Sequence, residues 1–244
     1  MKGASPIDPA LRQGLASDLR LFALLHDREP EQALLEELRT APTQVWLTLV
    51  LRSDDARGAL AFFDQALREL PHPIDDQTLD DLAADHASIY LTHACRAAPM
   101  ESVWLHDEAL TLQEPMFAIR RWYEHYGLAA EDWRRRSDDH LVLQLQFLAH
   151  LFTLDAPHAL GDAARFMDRH ILLWIGDFAR RVAQRCHTPY FAGLALTTSA
   201  YLEELRDLLT EITGEARFRP AAEAKGQKAT EVEGPYLPGI GPGW

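Results

Sequence analysis

Residues 136–152 read RSDDHLVLQLQFLAHLF: two acids and a histidine directly ahead of a run that is apolar on nearly every side. From Leu141 to Leu154, apolar residues fall at 141, 142, 143, 145, 147, 148, 149, 151, 152 and 154. No single stripe about 100° wide holds them all, so the segment predicts a central helix buried all round. Asp138 or Asp139 can accept hydrogen bonds from the N–H groups of its first turn. A carboxylate also suits the positive end of the helix dipole. Three titratable groups at the mouth of a buried helix are either a strong cap or part of a site.

The helical period continues outward from this stretch. Leu11, Leu15, Leu19, Phe22 and Leu25 recur at three and four, and Pro9 suits a first turn. A second helix is expected over 30–39. Residues 45–51 (VWLTLVL) are read as a short buried helix, because no strand partner is evident. Asp54 is placed to cap a helix through Leu70, which PHPID at 71–75 breaks. Residues 75–94 are helical again, and CRAAPMESV at 95–103 reads as a loop. A helix over 108–126, interrupted near Pro115, ends at Gly127. Residues 161–186 carry Phe166, Ile171, Trp174, Ile175, Phe178 and Val182. Thr188 and Pro189 open a last helix with Leu194, Thr198, Tyr201, Leu205 and Leu208 as its inner stripe. With no alternating strand pattern and no repeat, the fold class is all-α, a single bundle of roughly nine helices. After Thr213 the chain is rich in Gly, Pro, Ala and charge, which predicts a flexible tail over 214–244. Its end, YLPGIGPGW, could instead dock in a groove as an extended peptide.

Composition narrows the function classes. The 24 basic residues against 37 acidic ones give a net charge of −13, which disfavours nucleic acid as a partner. The same charge suits a cationic partner or plain solubility. Two cysteines, Cys95 and Cys186, form neither a CxxC motif nor a disulfide framework. The N-terminus lacks the apolar core of a signal peptide, and no apolar run reaches the ~20 residues of a membrane span. A cytoplasmic setting with no membrane span is expected. No HExxH, GxSxG, P-loop or dinucleotide fingerprint occurs. His93 and Cys95 have no second pair at zinc spacing, and His170 reads as a satisfied core histidine. Asp138, Asp139 and His140 could form an acid–base group, but no nucleophile or oxyanion hole accompanies them. No catalysis, cofactor or metal is therefore expected. The arginines at 134–136 read as a solvated face rather than a phosphate site. Trp122, Tyr123 and Tyr126 are either core or the lining of a groove.

Three segments taken together resemble the TorD/DmsD family of redox-enzyme maturation chaperones, with its NarJ-type relatives. The first runs from Tyr90 through the loop PMES (99–102) and Trp104 to EPMFAIRRWYEHYGL, similar to the family's P-x-E-S loop and the helix after it. The second is RSDDH at 136–140, where the family has E-P-x-D-H; Arg136 and Ser137 stand in place of Glu-Pro. The third is FMDRHILLW followed by TPYFAGLALTTSAYLE, similar to the family's F-x-x-x-H-L-x-x-W helix, T-P turn and last helix. The resemblance covers roughly residues 80–205. It implies an all-helical, non-catalytic chaperone over 1–213, with halves at about 8–130 and 140–213 joined by a linker at about 131–139. It further implies that the partner is the apo-form of a molybdopterin-containing oxidoreductase, bound often through its twin-arginine leader and held in the cytoplasm until cofactor insertion. A NarJ-type chaperone for a non-exported subunit is the alternative, and a monomer or a domain-swapped dimer is compatible with either. Carried over residue by residue, the match places Glu101 and Ser102 in the loop motif and Asp139 and His140 in the linker motif. Asp138 adds a neighbouring acid, while Tyr90, Trp104, Tyr123 and Leu141 would supply an apolar wall beside the carboxylates.

Overall fold

Helices form where apolar residues spaced at three and four meet a side chain able to cap the first turn. The computed structural model describes residues 7–105, 114–130, 136–156 and 158–218. In chain order the α-helices are α1 (Pro9–Asp27), α2 (Gln32–Leu38), α3 (Thr43–Trp46), α4 (Asp54–Arg68), α5 (Asp76–His86), α6 (Glu101–Leu105), α7 (Glu114–His125), α8 (Leu141–Thr153), α9 (Ala159–Arg169), α10 (Ile175–Arg185) and α11 (Pro189–Thr213). A π turn (Ala87–Leu91) prolongs α5, and a 3-10 turn (Ile171–Leu173) separates α9 from α10. The described residues contain no strand, only an isolated antiparallel bridge between Met100 and His140. No helix among them is long and apolar enough to cross a membrane.

The central position expected for α8 is what the structure shows. Leu141, Leu145, Leu148 and Phe152 are buried, and so are Val142, Phe147, Ala149 and Leu151 around most of the helix; Leu143 is half-buried and Gln146 exposed. Each such Leu, Val or Phe side chain contributes about 1.5–3 kcal/mol when fully buried. Helix α1 packs along α8, and α11 lies between α4 and α10. The two sequence halves are thus interleaved, because α1 and α4 from the first half bury their apolar faces on α8 and α11 from the second. Helices α4 and α11 meet so closely that a Cβ on Gly193 would stand 2.8 Å from the Phe63 Cα.

Several local expectations change in the structure. Residues 45–51 are not a buried helix: α3 stops at Trp46, and Val45 and Val50 are exposed. Side chains satisfy the backbone of this loop instead, which removes the need for a helix. The Asp18 carboxylate accepts the N–H groups of Thr48 and Leu49 at 2.9 and 3.1 Å, and the Tyr201 hydroxyl at 3.1 Å. Gln44 spans the same loop, donating to the Leu49 carbonyl and accepting the Leu51 N–H. Ser53, not Asp54, caps α4 by accepting the Ala56 N–H. Thr188 does precede α11, but its hydroxyl donates to Asp85, which also accepts the His187 and Thr188 N–H groups. Gly127 ends its helix with a positive φ of 69°, as expected. Residues 214–218 belong to the folded part: Arg217 pairs with Glu203, and the Phe218 N–H reaches Asp168 at 2.8 Å. The rest of the predicted tail, including YLPGIGPGW, lies outside the described residues, as do Arg134, Arg135 and the start of the helix expected from 108.

Candidate partner-binding site

The loop before α6 and the linker before α8 run antiparallel and satisfy each other's helix starts. The Pro99 carbonyl accepts the N–H of Leu141, the first residue of α8, at 2.8 Å. The Asp139 carbonyl accepts the N–H of Glu101, the first residue of α6, at 3.2 Å. The Asp139 carboxylate takes the next N–H, that of Ser102, at 2.7 Å and also accepts the Ser137 hydroxyl. Asp139 therefore caps α6 rather than its own helix. The N-cap of α8 is His140, whose Nδ1 accepts the Val142 N–H at 3.2 Å. Because Nδ1 accepts, the ring proton sits on Nε2. Burial, reinforced by the nearby Arg136 charge, lowers the His140 pKa to about 3.

Beneath this junction lies a buried polar group. Glu101 is sealed from solvent; its Oε1 stands 2.9 Å from His170 Nδ1 and its Oε2 accepts Gln144 Nε2 at 3.2 Å. Gln144 also donates to the Asp139 carbonyl at 2.9 Å. Burial raises the Glu101 pKa, with the Asp139 charge adding to it against the opposing bonds from His170 and Gln144. On the other side of the linker, the Tyr123 hydroxyl donates to the Asp138 carbonyl at 2.9 Å, and Arg120 Nε donates to Asp138 Oδ2 at 2.7 Å. Tyr123, Arg120 and Asp138 then line a cavity of about 150 Å³ with Glu124, Leu128, Ala129 and Ala130.

Six of the residues singled out from the sequence thus converge: Glu101, Ser102, Tyr123, Asp138, Asp139 and His140. Their burial assigns them different tasks. Asp139, Glu101, Ser102 and His140 join loop to linker beneath the surface, while Asp138 and Tyr123 also face the cavity. Trp104 lies on α6 and turns toward α10: its indole packs edge-on against Phe178, its N–H bonds the Ala98 carbonyl, and Arg181 covers its ring. Tyr90 is buried on the π turn. Its hydroxyl donates to His26 Nδ1 at 2.6 Å, while His26 Nε2 reaches Thr198 at 2.9 Å. Burial lowers the His26 pKa to about 3.

The sequence did not expose Arg120 and Gln144 as members of this site. Both leave a signal that could have found them. Arg120 precedes Tyr123 by one helical turn, so both face the linker. Gln144 is a polar residue flanked by apolar ones on a largely buried helix, where its amide must find partners.

Residues 53–180, which contain the loop, α7, the linker and His170, match the family described as nitrate reductase delta subunit. Chaperone protein TorD of Vibrio cholerae serotype O1 is 28% identical over 160 residues, covering 62% of this chain and 71% of that protein. The chaperone of the same name from Shewanella loihica is 25% identical over 198 residues, covering 78% and 90%. That of Salmonella arizonae is 26% identical over 181 residues, covering 72% and 81%.

Proposed function

This chain belongs to the nitrate reductase delta subunit family, which includes the TorD maturation chaperones, and from that premise we propose that it is a cytoplasmic chaperone of a molybdopterin-containing oxidoreductase. It binds the apo-form of that enzyme through a twin-arginine leader and holds it until the cofactor is inserted. It catalyses no reaction itself. The observation that carries this reading is the meeting of the PMES segment, which runs into α6, with the linker beside a cavity walled by Asp138 and Tyr123. A leader offers guanidinium groups followed by an apolar segment. An acid–aromatic cavity meets both, and the net charge of −13 attracts the leader from a distance.

A NarJ-type chaperone serving a subunit with no arginine pair is the second reading. Arg136 and Ser137, where the family has Glu-Pro, leave it open; the Arg136 guanidinium pairs with Asp27 at 2.5 Å. Calorimetry with a synthetic leader peptide and capture of the apo-subunit test both readings. Saturable peptide binding that weakens with salt supports the first. Capture of the apo-subunit without peptide binding selects the second, and failure of both assays ends the chaperone reading.

A further inference from the structure

We propose that Arg120 occupies, in the unbound chaperone, the subsite meant for one guanidinium of the partner, so that binding exchanges an internal arginine for an external one. This rests on the leader reading above. Asp138 is almost fully buried, with its side chain 3% exposed, so its carboxylate needs a cation close by at all times. Among the described residues, that cation is Arg120. The Arg120 side chain is 37% exposed and reaches Asp138 through Nε at 2.7 Å. Because this arm is partly exposed, it can leave for water, whereas the buried carboxylate cannot and must be met by another cation.

Arg120 also has somewhere else to go. Its guanidinium already stands 5.6 Å from the centre of the Phe117 ring, one turn back on α7, and that ring is substantially exposed. A cation over an aromatic face is favourable, so release from Asp138 leaves Arg120 partly satisfied. The cavity beside the pair has room for the end of one side chain. Leu128, Ala129, Ala130 and Tyr123 supply apolar lining suited to the stem of an arginine. Glu124, also in the lining, adds a second negative charge. The only chemistry that can replace Arg120 without stranding a buried charge is another cation, and a planar guanidinium can offer two parallel bonds where Arg120 Nε offers one.

The test uses the full chain and a synthetic peptide with two consecutive arginines followed by an apolar segment. Arg120→Gln, whose amide can still donate to the Asp138 carboxylate and whose folding is checked by thermal melting, is expected to tighten peptide binding about threefold to tenfold by removing the competing charge. Arg68→Gln, an equal change of charge on α4 away from the cavity, is expected to leave affinity within about twofold. Asp138→Asn in the Arg120→Gln background is expected to abolish the gain, with folding checked by thermal melting. The proposal is overturned if Arg120→Gln leaves affinity unchanged or weakens it, or if Arg68→Gln tightens binding equally. Peptide binding by the unmodified chain with no gain from Arg120→Gln refutes only the exchange. No binding by the unmodified chain or by either single variant removes the leader reading itself, and the exchange with it.

Discussion

The Asp139 carboxylate accepts the Ser102 backbone N–H at 2.7 Å, across 37 residues of sequence. The acid that looks like the cap of α8 is the cap of α6. Loop and linker are consequently one mechanical unit: the start of each helix is completed by the strand of chain that leads into the other. Asp139→Ala removes the acceptor and leaves a buried N–H without a partner. A loss of about 1–3 kcal/mol in unfolding free energy is expected, measured by urea titration. Asp139→Asn, which keeps an acceptor oxygen, should lose less. Equal losses for the two variants would argue that charge, not the hydrogen bond, holds the junction.

The histidine cap ties stability to pH. Neutral His140 accepts the Val142 N–H, and a protonated ring cannot. Its folded pKa of about 3 lies below the ordinary 6.5, so the unfolded chain binds the proton first. Stability is therefore full above about pH 6.5 and falls as pH drops toward 3. His26 acts in the same direction. Glu101 and Asp18 act oppositely: their raised pKa values favour the folded state below the ordinary carboxyl range and weaken it as pH rises through the folded values. His140→Asn keeps a capping side chain but does not titrate. Between pH 7 and pH 5 its stability should fall by about 2 kcal/mol less than that of the parent. An unchanged difference between the two pH values would show that His140 is not held neutral.

A second buried pair joins α9 to α11. Arg206 Nε and Nη2 donate to the two Asp168 oxygens at 2.8 Å each, with both side chains shut away from water. Arg206→Met strands the carboxylate and should cost about 3–5 kcal/mol by chemical denaturation. Joining it with Asp168→Leu should recover part of that loss, since no lone charge then remains buried. A double variant less stable than the arginine variant alone would mean that the ion pair itself supplies the stability.

Gly193→Ala probes the closest helix contact. The new methyl would meet the Phe63 backbone at 2.8 Å, where no side-chain rotation relieves it. Overpacking of this kind costs about 1–3 kcal/mol, against a gain of up to about 1 kcal/mol from replacing a helical glycine. A net fall in melting temperature is expected. A rise would show that α4 and α11 can part without cost.

The sequence by itself determined the all-α class, the central burial of α8, the end of α7 at Gly127 and the importance of the DDH cluster. These follow from periodicity, from residues that terminate helices and from short-range spacing, all of which are local. It did not determine what the cluster's side chains touch. Asp139 was legible as a cap because its residue type is right for one, but the helix it caps lies 37 residues away. Whether 45–51 becomes a helix depended on Asp18 and Gln44 reaching its backbone. The Arg120–Asp138 contact required α7 to be laid against the linker. Only tertiary packing decides such pairings, because a buried donor or acceptor is satisfied by whichever group the fold brings within about 3 Å, irrespective of its distance along the chain.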